Sequence, residues 1–230
     1  MPVRGGHVIW SDVIQLAGAV LVIVGAVLPV VNPPGNAPIF LQMTAGCDEQ
    51  TRAILARRVA TLSFALLLAT LLIGTLVLRL FGLSLAVIQV SGGAVVCALG
   101  WRLMGDEVKP AEASEDPQRA SAVAMTRAFY PLTMPVTIDP GVLSVAVTVG
   151  AAHTHTLQKL VVQVSAAIIG ATIVALVVFL TYRYAHRFAA RIGHEGMMIV
   201  VRISAFIVMS IGVQIGWNGV KALLEEVGIS

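Results

Sequence analysis

Two short proline-rich stretches carry the polar side chains that could do chemistry in an otherwise apolar chain. Asn32 and Asn36 lie in the first stretch, and Asp139 in the second is the one carboxylate within the long apolar segments. Amides donate and accept hydrogen bonds, whereas a carboxylate can bind an ammonium group or carry a proton. The candidate substrate-binding residues are the members of both stretches and a serine one turn later: Asn32, Pro33, Pro34, Gly35, Asn36, Asp139, Pro140, Gly141 and Ser144.

Asp139 has two interpretations. Ionisable residues inside membrane segments are costly and mark functional sites, so Asp139 is a candidate for proton coupling or for pairing with a substrate ammonium. Aspartate is also a favoured N-cap, so its role could be limited to starting the helix that follows Pro140. Asn32 and Asn36 are equally open, because asparagine binds ligands but also stabilises turns.

These residues are embedded in apolar segments long enough to cross a membrane. Of the 230 residues, 57% are hydrophobic and 12% are charged, against about 45–50% and 25% in soluble domains. This composition argues against a soluble enzyme, a disordered protein and a nucleic-acid binder. A membrane span needs about 20 apolar residues. The sequence therefore predicts an all-α membrane protein of six spans, at about residues 11–45, 58–79, 84–104, 125–152, 158–182 and 198–222.

The first and fourth spans cannot be continuous helices. Residues 29–38 contain four prolines, and residues 130–144 are broken in the same way. Each proline removes a backbone donor and clashes with the preceding turn. Irregular backbone survives in a membrane only inside protein or along a wet cavity. We therefore expect the breaks to share an internal cavity. The half-helices starting near Gly35 and Gly141 should offer free N–H groups to a carboxylate, and the preceding carbonyls should suit an ammonium.

The two breaks also divide the chain into repeats. Pro29-Val30 and Pro34-Gly35 recur as Pro135-Val136 and Pro140-Gly141, at an offset of 106 residues. Each copy begins a set of three spans, which gives repeats at 1–104 and 122–230 joined by a charged linker at 105–121. Three spans are an odd number, so the second repeat must be inverted relative to the first. Inverted repeats with broken helices are a recurrent transporter architecture.

Basic residues predict the orientation of the spans. The first, third and fifth loops together hold eleven Lys and Arg residues, whereas the other side holds four. The basic side is expected to be cytoplasmic, which places the linker inside and both termini outside. The apolar character of residues 13–28 continues through the proline cluster. We therefore expect a span there rather than a cleaved signal peptide.

Other motifs favour packing over chemistry. Cys47 and Cys97 lack metal-site spacing, and the spans contain no Ser/His or Cys/His pair, so we expect no enzyme activity, no metal and no cofactor. No ATP-binding Walker motif is present. Glycines at 212, 216 and 219 and the run 91–94 give the sixth and third spans small faces, which predicts close helix contact at each. Gln214 and Asn218 are expected to bond between helices.

The two broken stretches carry a family resemblance. Asn32-Pro-Pro-Gly-Asn-Ala-Pro-Ile-Phe40 and Phe129-Tyr-Pro-Leu-Thr-Met-Pro-Val-Thr-Ile-Asp-Pro-Gly141 resemble the MarC family of bacterial and archaeal membrane proteins, over about Asp12 to Leu224. The resemblance implies six spans, two inverted repeats and discontinuous first and fourth helices. It also implies transport of small neutral amino acids such as glycine or alanine, bound against both breaks. The family usually has Gly-Pro-Gly at the second break, where this chain has Asp139-Pro140-Gly141.

The sequence thus predicts a secondary transporter in the bacterial cytoplasmic membrane. It would move a small polar solute, with small neutral amino acids as the leading class, by alternating access around the two breaks. Its partners would be that solute, the lipid bilayer and a coupling ion, H⁺ or Na⁺. A homo-oligomer is compatible with the sequence, and no nucleic acid is expected. The alternative is a non-transporting membrane scaffold or regulator, in which the breaks are structural only.

Overall fold

Helices account for the regular structure of the chain. The computed structural model describes residues 5–105, 117–151 and 157–228, and these ranges contain no β-strand. The segment Ala128–Thr137 lies between the fifth and sixth α-helices. Its hydrogen bonds span five residues, but Tyr130 (φ −115°, ψ 124°) and Met134 (φ −124°, ψ 122°) have extended backbones, so the segment is kinked rather than regular. We call it the π-helical segment. The α-helices are α1 Gly5–Val31, α2 Pro33–Met43, α3 Glu49–Leu80, α4 Leu85–Gly105, α5 Pro117–Thr126, α6 Pro140–Gly150 and α7 Leu157–Glu226.

Five helical segments of the described ranges are long and apolar enough to cross a membrane. They are Val13–Val31, Glu49–Leu80, Leu85–Gly105, Lys159–Gly193 and Glu195–Glu226. The π-helical segment and α6 meet at an angle of 67° and form a sixth crossing if they count as one bent span. The described ranges are therefore all-helical, with five or six candidate membrane spans.

Local sequence explains where the helices begin and end. Asp48 caps α3 by accepting a hydrogen bond of 3.2 Å from the N–H of Thr51. Gly193 has a φ of 70°, which a residue with a Cβ rarely adopts, and it separates the two halves of α7. The first half continues beyond the predicted limit at residue 182, and the second half begins before the predicted limit at residue 198. Helical backbone hydrogen bonds do not require apolar side chains, so a helix can be longer than its apolar run.

The predicted linker is described only in part. Residues 106–116 lie outside the described residues. The chain from Pro117 onward forms α5, which ends at Thr126 just before the π-helical segment.

Helix α4 and the second half of α7 pack with their backbones in contact. A Cβ atom on Gly93 would lie 2.7 Å from both the carbonyl oxygen of Gly212 and the Cα of Gly216. A Cβ on Gly219 would lie 2.7 Å from the carbonyl oxygen of Ala86. The close helix contact predicted from these small residues is confirmed, and the structure shows that the two small faces pack against each other. We call this contact the glycine seam.

One packing prediction is wrong. Gln214 and Asn218 bond to each other at 2.9 Å on the exposed side of α7 rather than to a neighbouring helix. Residues four apart lie side by side on a helix surface, so each amide finds its partner within its own helix.

Candidate functional site

The first break is built around Asn32. Its backbone lies in the left-handed region, with φ 45° and ψ 58°, and its side chain caps α2. The Asn32 Oδ1 atom accepts a hydrogen bond of 3.3 Å from the N–H of Gly35, and the Asn32 carbonyl accepts one of 3.1 Å from the N–H of Asn36. A Cβ on Gly35 would overlap the Asn32 amide. Glycine at this position therefore allows the cap to fold back.

Asn36 connects the two breaks. Its Nδ2 atom donates to the carbonyl of Val31, at the end of α1, and to the carbonyl of Val136 in the π-helical segment, both at 2.8 Å. Val31 comes directly before the first break, and Val136 comes shortly before the second. One buried amide therefore satisfies a carbonyl at each break.

The second break repeats the capping geometry with a carboxylate. Asp139 Oδ1 accepts a hydrogen bond of 2.7 Å from the N–H of Val142, and the Asp139 carbonyl accepts one of 3.1 Å from the N–H of Leu143. A Cβ on Gly141 would overlap the side chain of Val96, so the start of α6 lies directly against α4. The capping interpretation of Asp139 describes this geometry.

The expected free N–H groups are not present at the first break. Pro33 and Pro34 carry no N–H, and the next two N–H groups, of Gly35 and Asn36, bond to Asn32. At the second break, the N–H groups of Val142 and Leu143 bond to Asp139 in the same way. The prediction that helix dipoles offer open donors to a carboxylate is therefore wrong for these donors, because the cap residues already occupy them.

Ser144 fixes α6 to α4. Its hydroxyl donates a hydrogen bond of 2.8 Å to the carbonyl of Ile88. A Cβ on Gly92 would overlap both the Cβ and the Oγ of Ser144. This hydroxyl is therefore committed to helix packing in the described conformation, and Gly92 provides the space for it.

The polar side chains of both breaks are buried. Asn32, Asn36, Asp139 and Ser144 are between 4% and 9% exposed. The Nδ2 atom of Asn32 has no hydrogen-bond partner within the described part of the chain. A buried, unpaired amide donor is costly, so this atom is a natural contact for a ligand oxygen.

Sequence reasoning missed a buried cluster beside the breaks. The hydroxyl of Tyr182 lies 2.9 Å from the Oγ1 of Thr137, and the Tyr182 ring stacks on Phe40 with centroids 4.5 Å apart. Tyr182 on α7 is completely buried and so contacts both α2 and the end of the π-helical segment. Thr137 belongs to the motif of the second break, and this motif is the one sequence feature that could have indicated the cluster.

Charged residues form ion pairs between the start of α3 and the first half of α7. Glu49 Oε1 lies 3.1 Å from a guanidinium nitrogen of Arg183 and 3.1 Å from one of Arg187.

Arg52 donates a hydrogen bond of 3.0 Å to the carbonyl of Cys47. Burial raises the pKa of the Cys47 thiol, and a thiol kept protonated is a poor nucleophile.

The family to which the chain belongs is shown by a match over most of its length. The sequence profile of the MarC family of integral membrane proteins matches residues 12–224. The chain belongs to this family. As a MarC-family member with five or six candidate spans, it is an integral multi-pass membrane protein.

Curated MarC-family relatives are similar over most of their length. The membrane protein YvbG of Bacillus subtilis is 26% identical over 193 residues, covering 84% of this chain and 89% of YvbG. The inner membrane protein MarC of Salmonella paratyphi A is 25% identical over 220 residues, covering 93% and 98%. A membrane protein of Archaeoglobus fulgidus is 25% identical over 200 residues, covering 87% and 91%. No solved structure shows a significant match.

Proposed function

We propose that this protein is a secondary transporter of a small polar solute, with small neutral amino acids as its substrates. The observation that supports this most directly is the hydrogen bond from Asn36 to Val136, which joins the two breaks. Irregular backbone inside a membrane fold is typical of binding sites in transporters. The name of the relative from Salmonella paratyphi A supports an inner-membrane location, and we propose cytoplasmic loops at the basic side and both termini outside.

Two chemically different caps suit the two ends of an amino acid. Asp139 is a carboxylate and favours an ammonium group, whereas the unpartnered Nδ2 of Asn32 favours a carboxylate oxygen. Asp139 itself supplies the negative charge that the start of α6 attracts, so a substrate carboxylate would be repelled there. We therefore assign the substrate ammonium to Asp139 and the substrate carboxylate to Asn32.

The similarity of the two breaks supports an inverted-repeat arrangement. Helices α2 and α6 each have 11 residues and begin with a proline. Each is capped by an Asn or Asp side chain that accepts a hydrogen bond from the N–H three residues later. The glycine seam joins the third span to the sixth, as expected for elements related by an internal two-fold axis. In this arrangement the buried site is closed, and transport requires the repeats to move apart on alternate sides.

Reconstitution in liposomes tests the proposal. Purified protein in proteoliposomes should exchange radiolabelled alanine or glycine, and the exchange should be inhibited by small zwitterions but not by ethylamine or propionate. Imposed pH and Na⁺ gradients then show whether H⁺ or Na⁺ is coupled. Absence of flux for every small solute, with a monodisperse and folded protein, would favour the scaffold or regulator instead.

A further inference from the structure

A groove runs between α3 and the first half of α7 on the outer surface of the fold. Its volume is about 560 Å³, and it is lined by one face of each helix. The lining residues that shape it are Arg57, Ala60, Phe64, Ala175, Leu176 and Phe179. Apart from the adjacent pair Ala175 and Leu176, they are three or four residues apart within each helix, which places them on one face of it.

The chemistry of this groove fits a hydrocarbon chain. Ala60 and Ala175 are buried and form its floor, while the larger apolar side chains form its walls. The hydroxyl of Thr61 donates to the carbonyl of Arg57 at 2.9 Å, and that of Thr172 donates to the carbonyl of Ile168 at 2.7 Å. Both hydroxyls that line the groove are therefore occupied within their own helices, and its interior presents apolar surface.

A second groove lies on the other side of the same arginine. Its volume is about 630 Å³, and it is formed by α3 together with the end of α5 and the start of the π-helical segment. Leu62, Met125 and Phe129 give it apolar walls, and Arg57 and Arg58 line it as well. The two grooves share Arg57, so a molecule with two chains and one headgroup can occupy both.

Two arginines provide the charge at the junction of the grooves. Arg57 and Arg58 are exposed, and neither forms an ion pair with another described residue. They directly precede the charge-free segment of residues 59–78, which places them at the membrane boundary. Guanidinium groups bind phosphate through paired hydrogen bonds, and basic sites between membrane helices bind anionic lipid headgroups.

We propose that this surface binds one anionic phospholipid, such as phosphatidylglycerol. The headgroup phosphate lies on Arg57 and Arg58, and one acyl chain lies in each groove. The lipid thereby contacts α3, the first half of α7 and the start of the fourth span at once. This site is separate from the two breaks, and neither groove is lined by a residue of the candidate substrate site.

Native mass spectrometry of the full chain in detergent tests the site. Titration with dioleoyl phosphatidylglycerol should show one preferred bound lipid per chain, at a lower concentration than dioleoyl phosphatidylcholine requires. The Arg57→Gln/Arg58→Gln variant should bind phosphatidylglycerol about tenfold more weakly, and Arg57→Lys/Arg58→Lys should retain most of the preference. Glycerol phosphate should not displace the lipid, because the acyl chains supply part of the affinity.

Two further variants make the test specific. Arg191→Gln/Arg202→Gln removes the same charge from exposed sites outside both grooves and should leave binding unchanged. Ala175→Phe fills the first groove and should weaken phosphatidylglycerol binding without removing charge. Equal affinity for both lipids, or parental affinity in Arg57→Gln/Arg58→Gln, would overturn the proposal. So would a dimer that Ala175→Phe dissociates while the bound-lipid count stays constant, because a second copy would then cover the groove.

Discussion

The side-chain nitrogen of Asn36 lies 2.8 Å from the carbonyl oxygen of Val136, a residue 100 positions further along the chain. The same nitrogen lies 2.8 Å from the carbonyl oxygen of Val31. Breaks in membrane helices leave backbone carbonyls without their usual donors, and each costs free energy if it stays unpaired. One amide therefore stabilises both breaks and fixes their relative position.

Replacing Asn36 by leucine should destabilise the fold. The variant leaves the buried carbonyl of Val31 and the part-buried carbonyl of Val136 without this donor. The loss should be about 1–3 kcal/mol for the first and less for the second. Thermal unfolding in detergent should show a midpoint lower by several degrees. Asn218→Leu is the control, because that amide is exposed and bonds within α7, so its midpoint should change little. Equal midpoints for both variants would contradict the bridging role.

Replacing Asp139 by asparagine should separate capping from substrate binding. Asparagine caps helices about as well as aspartate, so the free energy of unfolding should stay within about 0.5 kcal/mol of the parent value. Loss of the charge should reduce amino acid uptake about tenfold or more, since hydrogen bonds to charged groups contribute about 1.5–3 kcal/mol. The rate of amino acid uptake by this variant should also depend less on pH than that of the parent.

Asp48 offers the matched control for that experiment. It caps α3 through Thr51 as Asp139 caps α6, but it lies outside the membrane spans. Hydrogen bonding to Thr51 lowers its pKa, so its cap persists at neutral pH. Asp48→Asn should retain both stability and uptake. If Asp139→Asn behaves identically, with full uptake and an unchanged pH profile, Asp139 is a cap and nothing more.

Gly92 and Ser144 should show strong energetic coupling. Gly92→Ala places a methyl group on the Ser144 side chain, and overpacking of this kind costs about 1–3 kcal/mol. Ser144→Gly alone loses the bond to Ile88 and lowers helix propensity. The double variant exchanges the small residue across the contact and should be more stable than the sum of the single losses predicts. A double-mutant cycle of unfolding free energies measures this coupling, and additive effects would count against the contact.

Tyr182 should contribute mainly through its ring. Tyr182→Phe removes the hydrogen bond to Thr137 but keeps the stack on Phe40, so the expected loss is about 0.5–1.5 kcal/mol. Tyr182→Ala also removes a fully buried ring and should cost about 3–5 kcal/mol. Denaturation curves of both variants provide the comparison. Tyr184→Phe, at an exposed position on the same helix, should be neutral, and a similar loss there would point to a general effect of the hydroxyl.

Features set by neighbouring residues were predictable from the sequence. The break at Asn32 follows from local prolines, and the cap at Asp139 involves an N–H only three residues away. The lengths of the apolar runs likewise indicate the candidate spans. Even the wrong expectation of open donors at the first break had a local answer. Two prolines carry no N–H, and Gly35 lies within reach of the Asn32 side chain.

Features set by the meeting of distant helices were not predictable. Thr137 and Tyr182 are 45 positions apart, and nothing in either segment specifies which helix face turns toward the other. The same holds for Asn36 and Val136. Such contacts depend on how every helix rotates to bury its surface, which periodicity in one segment does not determine.

The glycine seam has a consequence for the evolution of the chain. Where Gly93 faces Gly212 and Gly216, both partners already have the smallest side chain. A substitution that enlarges one helix therefore cannot be compensated by shrinking the other, unlike the Gly92–Ser144 contact. Second-site suppressors of Gly93→Ala should arise away from the seam, at positions that let α4 and α7 separate. Mutations at the seam are consequently harder to reverse by a second change than mutations at either break.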